Sequence, residues 1–481
     1  MPPTLVLWLC YGFIYWLFRQ DMKLRQLSSY ALLIPMIWLI MVSSRPVSFW
    51  FETSTGISTG QVNNLDGNPV DLVSLVLLFI AAIAMLSKRK FSWGRFVFSN
   101  KAIILLYLFV LLSSVWADYG FATLRRGVKD FGAVLSALIL LTEAKPMDAI
   151  RTVFIRASFI VLPLSVVFIK YFPDIGRRPS RSGDSMFNGV AWHKQELGAD
   201  LFLFGLFIVV DLLELRKNRN GEIDGAVRKR AIRIRYGLLL TGAWLLHTCG
   251  SVTSLICFSL GVFLLWATHR LLQYKSPLKM AVVSLLIVGF LAGVNGLFDV
   301  SSKVLHALGK NTTLTGRTEI WDLVKAANTP VLRGVGYQGF WTTAAATPIR
   351  LQFAGILNSA HNGILEMYLD CGLIGSGLLV LTLLVWCAKS LKRMLQGTLF
   401  GQVAFVMWVL SVIFNNSETA YFRMSPIWFT LLLMMLECPP PQEIFKFSRR
   451  LVNVTEVEPD PREQDFSEWS RLPESGVTQT R

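Results

Sequence analysis

The chain has 481 residues, 53% of them hydrophobic and 16% charged, where a soluble globular chain carries about 25% charged residues. Its apolar residues come in blocks as long as bilayer-spanning helices, roughly 17–25 residues, which excludes an ordinary soluble enzyme. The formal net charge of +16 does not mark a nucleic-acid binder, because the basic residues lie between apolar blocks, where cytoplasmic loops normally carry them.

Lipid offers no hydrogen-bond partners, so a spanning segment is a helix or part of a closed barrel. These blocks are continuously apolar rather than alternating, so the expected fold is an all-α polytopic membrane protein with about 12–13 transmembrane helices. In chain order the spans centre on Thr4–Phe18, Ser28–Met41, Asp71–Leu86, Ala102–Val115, Phe131–Leu141, Val153–Tyr171, Asp200–Leu215, Tyr236–His247, Thr253–Thr268, Met280–Leu297, Gly363–Ala388, Gln402–Phe414 and Pro426–Leu436. The first block lacks a basic start and a small-residue cleavage site, so it reads as a span and not as a cleavable signal.

Four basic stretches define one side: Arg19 to Arg25, Lys88 to Lys101, Arg216 to Arg235, and Lys389 to Arg393. The positive-inside rule makes that side cytoplasmic. The opposite side then holds the loops Ser43–Val70, Asp118–Lys129, Phe172–Gly198, Phe298–Ala360 and Asn415–Ser425. The fourth is too long to be a mere connection. It keeps many apolar residues and tryptophans, so a folded, partly helical cap is expected over 298–360. The expected division is a membrane domain over 1–438 and a disordered cytoplasmic tail over 439–481, rich in Pro, Glu and Ser.

The external loops break the charge rule. They carry Arg125, Arg126 and Lys129, then Arg177, Arg178, Arg181 and Lys194, then Arg317, Arg333 and Arg350. Lipid headgroups or surface ion pairs would account for any one of them. As a set in three loops on one face they point to an anionic ligand, since guanidinium forks make paired charge-assisted bonds to phosphate. His361, where the large loop enters a span, can take or give a proton near neutral pH, or simply cap the helix. Asn362 and Glu366 follow on one helix face. The other histidines, His193, His247, His269 and His306, have no metal-ligand spacing, and the six cysteines have no CxxC, so neither a metal nor a cofactor is expected. Gly334-Val335-Gly336-Tyr337-Gln338-Gly339 matches GxGxxG literally. Outside a strand–helix unit it reads as a tight turn, with backbone amides near an anion, not as a nucleotide fingerprint.

Four local patterns, in order, resemble the O-antigen ligase family, which includes exopolysaccharide polymerases. Ser44-Arg45-Pro46-Val47-Ser48-Phe49-Trp50, followed by Asp66-Gly67-Asn68-Pro69-Val70-Asp71, is similar to an external loop of the polymerase branch. Gly189 to Gly198 resembles its G-x-x-x-H-K-N-x-L-G stretch, with Gln195 in place of Asn. Leu314 to Trp321 resembles T-G-R-x-x-x-W, and His361 to Gly375 the H-N-x-x-L-x…G-L-x-G signature.

The resemblance implies about twelve helices with a large periplasmic loop between late helices, in a bacterial inner membrane. It implies a metal-independent glycosyltransferase with a glycan on undecaprenyl pyrophosphate as donor and a glycan or lipid hydroxyl as acceptor, working beside other polysaccharide-export components. By position, Arg317 and His361 inherit the pyrophosphate-holding and transfer-assisting roles. Where many members have Arg or Lys, Gly250-Ser251-Val252-Thr253-Ser254 has Val252. That clamp position is therefore missing, or is supplied by Arg125, Arg126 or Arg178; these three and Lys194 are the expected pyrophosphate-binding cations, with His193, Asn362, Glu366 and Glu319 in support. The rival readings are a polysaccharide-related membrane transporter and a non-catalytic envelope scaffold. The transporter is disfavoured because the spans read as nearly free of ionisable residues.

Overall fold

A computed structural model of the protein describes residues 1–25, 29–51, 68–89, 91–179, 185–217, 224–273, 317–353 and 357–438. The expected span Met280–Leu297, His306, the start of the large loop and the tail 439–481 lie outside them.

The described residues are mostly helical. In chain order they form α1 (Pro3–Leu24), α2 (Leu33–Val42), α3 (Val47–Phe51), α4 (Pro69–Ser87), α5 (Trp93–Ser99), α6 (Lys101–Leu112), α7 (Gly120–Leu141), α8 (Pro146–Tyr171), α9 (Pro173–Gly176), α10 (Lys194–Lys217), α11 (Gly225–Cys249) and α12 (Val252–Gln273). After the gap come α13 (Arg317–Ala326), α14 (Thr347–Gln352), α15 (Gly363–Leu395), α16 (Leu399–Asn415) and α17 (Pro426–Met435). A short antiparallel hairpin, β1 (Arg177–Pro179) with β2 (Ser185–Phe187), pairs Arg178 with Met186.

Among the described residues four helices are long and apolar enough to cross a membrane: α4, α8, Val252–Arg270 of α12, and α15. The pair Trp93–Ser99 and Lys101–Val115, bent by 92°, makes a fifth if read as one broken span. The chain is thus an all-α, multi-pass membrane protein. Among the described residues the other expected spans are helical too; some are shorter, as in α16 and α17, and others carry ionisable residues, as in α7, α10 and α11. Every residue of α17 is buried, and 72% of the apolar stretch of α8 is, against 22% for α4. The core therefore sits around α8 and α17, and α4 lies at the periphery.

Two expectations change. The segment Asp118–Lys129 is no loop: α7 begins at Gly120, so Arg125, Arg126 and Lys129 ride on its first turns. The spans are also not free of ionisable groups. Asp21 on α1, Asp211 on α10, Arg156 on α8 and Arg235 on α11 meet with Arg25 and Arg151 in one network. Arg235 lies 2.9 Å from Asp21 and 3.0 Å from Asp211 and is fully buried. Arg25 and Arg235 are therefore helix clamps rather than loop charges. They survive burial because each is paired with a carboxylate.

The late loop has its own apolar core, built from Ile320, Val324, Phe340, Trp341, Ile349 and Phe353 among others. It docks on α15 at a break. Gly372 has φ 64°, and there the amides of Leu373 and Ile374 donate to the carbonyls of Val331 and Leu332 at 2.8 and 3.1 Å. In return Gly336 N–H donates to Asp370 O at 2.8 Å. A helix interrupted within a membrane needs such outside partners. A β-carbon on Gly372 would come within 2.4 Å of the Leu332 carbonyl, so only glycine fits the break.

Candidate functional site

The described parts of the five segments expected on one side meet at one end of the bundle. Arg45 N–H donates to Val190 O at 3.2 Å, Arg126 Nη1 to Gln338 O at 2.6 Å, and Ser359 Oγ to Thr419 Oγ1 at 2.8 Å. Within the first motif, Asp71 accepts from Ser48 N and Oγ at 2.9 Å each, joining its two halves.

Glu418, in the turn between α16 and α17, joins the two residues of greatest interest. Its Oε1 accepts from Arg317 Nη2 at 2.6 Å, and its Oε2 lies 3.1 Å from His361 Nδ1. Burial pushes the Glu418 carboxyl upward. The His361 hydrogen bond and the Arg317 charge outweigh it and hold the group below the ordinary glutamate range. His361 itself has φ 51°, a left-handed conformation uncommon outside glycine, and its side chain is 31% exposed. It is not the helix cap: Asn362 takes that role, its Oδ1 accepting from Ile364 and Leu365 N–H at 3.1 and 3.0 Å. The imidazole is thereby left at an open edge.

Glu366 holds this turn in place. It is 2% exposed and accepts from Ala360 N–H at 2.7 Å and Trp341 Nε1 at 2.8 Å, while Arg423 pairs with it. The residue before His361 is thus tied to the core of the late loop. Glu319 plays no such part, since it accepts from Gln352 on the exposed side of the loop.

His193 lies against the same cluster. Burial first, then the charges of Arg178 and His361, lower its pKa to about 4, so it is neutral at pH 7. Arg178 stacks 3.9 Å over the Trp192 ring, with Arg45 on Trp192 and Phe49 nearby. Arg45 is buried and donates to Ala191 O at 3.3 Å and to Ile175 O. Lys194 starts α10 immediately after His193. Of the other expected cations, Arg126 is occupied by Gln338 O and Arg125 sits half-buried beside it on α7. The stretch around Val252 packs beside the cluster through Thr253 Oγ1, 3.0 Å from Ser417 Oγ.

The structure therefore brings Arg317, His361, His193 and Arg178 together, with Asn362 and Glu366 as supports. The amides of Gly334, Val335 and Gly336 are taken by the Pro330, Leu369 and Asp370 carbonyls, so the glycine turn is no anion cradle. Sequence reasoning missed Glu418, Arg423 and Arg45. The signal for Glu418 was a lone acidic residue in a polar turn between two apolar blocks. Among the described residues no group of three or more His, Cys, Asp or Glu side chains is placed to hold a metal ion.

Chemically, the cluster offers a guanidinium, a carboxylate and an imidazole in line, with further cations and neutral His193 beside them. Residues 236–380 match the O-Antigen ligase family, a stretch that contains Arg317 and His361 but not Glu418, Arg178 or His193. The chain is also similar to the exopolysaccharide production protein ExoQ of Rhizobium meliloti (strain 1021), 28% identical over 299 residues. That alignment covers 60% of this chain and 65% of the relative, just under two thirds of its length. These two matches support the chain as a member of the O-antigen ligase family.

Proposed function

We propose that the protein is a membrane glycosyltransferase of the ligase or polymerase type, moving glycan from an undecaprenyl-pyrophosphate donor at the periplasmic face of the inner membrane during exopolysaccharide or O-antigen biosynthesis. The observation that carries this reading is Glu418, bonded at once to Arg317 and His361. With Nδ1 turned to the carboxylate, the imidazole keeps Nε2 free to take the acceptor hydroxyl proton. Glu418 then stabilises the imidazolium that forms. Arg317 neutralises charge on the departing pyrophosphate as the glycosyl bond breaks, with Arg178, Lys194, Arg125 and Arg126 as further cations at that end. Attack opposite the leaving group inverts the anomeric carbon.

No metal is needed in this scheme, because pyrophosphate is already a good leaving group. The large loop over 298–360, as the periplasmic cap, positions the acceptor through the turn that Glu366 holds. The exopolysaccharide relative favours a glycan chain end as acceptor.

The test is a gene deletion complemented with wild type, Arg317→Ala or His361→Ala, with surface and lipid-linked glycans sized on gels. Single repeat units accumulating on the carrier identify a polymerase, and long polymer stranded on the carrier identifies a ligase. Arg317→Ala is expected to lower transfer by about 10²–10³-fold while the protein stays in the membrane. Unchanged glycans in both variants would refute the assignment.

A further inference from the structure

A second place on the molecule has a ligand's shape. Only Cys10, Leu17, Asp21 and Leu24 of the 22-residue α1 are buried. Between α1, α8 and α11 this leaves a groove of about 700 Å³, within the usual range of roughly 300–1,000 Å³ for small-molecule sites. Its walls are apolar along Val6, Phe13 and Trp16 on one side and Val167 on another, and it ends at Arg230 and Arg233.

Length gives the occupant its orientation. From Arg230 to Thr241 on α11 there are eleven rises, roughly 16 Å, and Val6 to Leu17 on α1 spans the same. The hydrocarbon core is about 30 Å thick, so the groove serves one leaflet. Charge gives the headgroup. Arg230 donates to Gln20 at 3.1 Å, and among the described residues neither Arg230 nor Arg233 has a carboxylate within ion-pair distance. At the same end the network sets four arginines, Arg25, Arg151, Arg156 and Arg235, against three carboxylates, Asp21, Asp148 and Asp211. Arg25 Nη1, Arg156 Nη2 and Arg235 Nη1 are left without a hydrogen-bond partner. The local excess is positive.

We propose that this groove holds one acyl chain of an anionic phospholipid from the leaflet on the arginine-rich side, its phosphate at Arg230 and Arg233. The site lies at the opposite end of the bundle from Glu418 and is independent of the transfer reaction. Gly237 lines it, and a β-carbon there meets nothing within 4 Å. A larger side chain at 237 therefore enters the groove without a clash, and it improves helix propensity.

Native mass spectrometry of the purified full-length protein, released from vesicles of mixed phosphatidylglycerol and phosphatidylcholine, tests the idea. Wild type is expected to retain one phosphatidylglycerol in preference to phosphatidylcholine. The double variant Arg230→Gln, Arg233→Gln should lose that preference by about 30-fold. Gly237→Leu should lose retention of both lipids while eluting as a folded species. Equal retention of the two lipids by wild type, or unchanged phosphatidylglycerol retention in both variants, overturns the proposal. Displacement only by undecaprenyl phosphate overturns it too, because the groove would then belong to the carrier.

Discussion

Protonating Glu418 would release two side chains at once. Its carboxyl is held below the ordinary range by His361 and Arg317 despite burial. A depressed carboxylate contributes stability that is present above its unfolded pKa, near 4.5, and lost as pH falls through the folded value. His193 acts in the same direction from a different window. Its folded pKa of about 4 lies below the unfolded 6.5, so its contribution is whole above pH 6.5 and declines towards pH 4, by at most about 3 kcal/mol. The thermal midpoint in detergent is expected to fall between pH 6.5 and 4, and His193→Gln should flatten that decline. An identical slope in the variant would remove His193 from the account. Glu418→Gln keeps the shape but not the charge. It is expected to lower transfer by about 10²-fold and to alter the pH profile of the rate, which a merely structural change at the turn would not do. The candidate pair was legible at this scale, because a histidine at the mouth of a span and an arginine in a long loop are odd in any membrane chain. Glu418 was not, because the residue that joins them is 57 positions from one and 101 from the other. Only the fold shows that contact.

At the scale of elements, apolar length located α4 to within two residues, while α8 begins seven residues before its expected span and α15 ends seven residues after. It failed where a helix runs past its apolar part. The expected span Phe131–Leu141 is the inner half of α7, whose outer turns carry Arg125, Arg126 and Lys129. Charged residues look like loop to a hydropathy rule, yet backbone bonding continues through them. The break in α15 was equally invisible, since Gly372 sits in an ordinary Gly-Leu-Ile-Gly run. Its φ of 64° and the 2.4 Å approach of Leu332 predict that Gly372→Ala costs at least about 3 kcal/mol. The expected readout is lost membrane accumulation. Normal yield and activity would show that the break relaxes instead. Glu366→Ala strips partners from Ala360, Trp341 and Arg423 together and is expected to cost about 3–5 kcal/mol, measured as a lower unfolding midpoint.

Across the whole molecule, loop charge assigned the five segments of the site to one face, and the structure gathers them there. The same rule misread Arg25 and Arg235, whose charges are spent inside the bundle. Asp211→Asn removes a counter-ion shared by Arg25, Arg151 and Arg235 and is expected to destabilise α1, α8, α10 and α11 jointly by about 3–5 kcal/mol. Protease nicking at that end of the bundle, compared between variant and wild type, checks it. The docking of the late loop at Gly372 bears on how such proteins diverge. The turn at 331–332 supplies acceptors to the amides of Leu373 and Ile374 on α15, and Gly336 N–H donates in return to Asp370 O. Cap and helix are therefore one hydrogen-bonded unit. A chimera that imports a relative's cap alone, in search of a new acceptor preference, would carry mismatched backbone into the break. If the proposed function holds, a change of acceptor preference is expected to survive transplantation only when the cap and the α15 break around Gly372 are moved together.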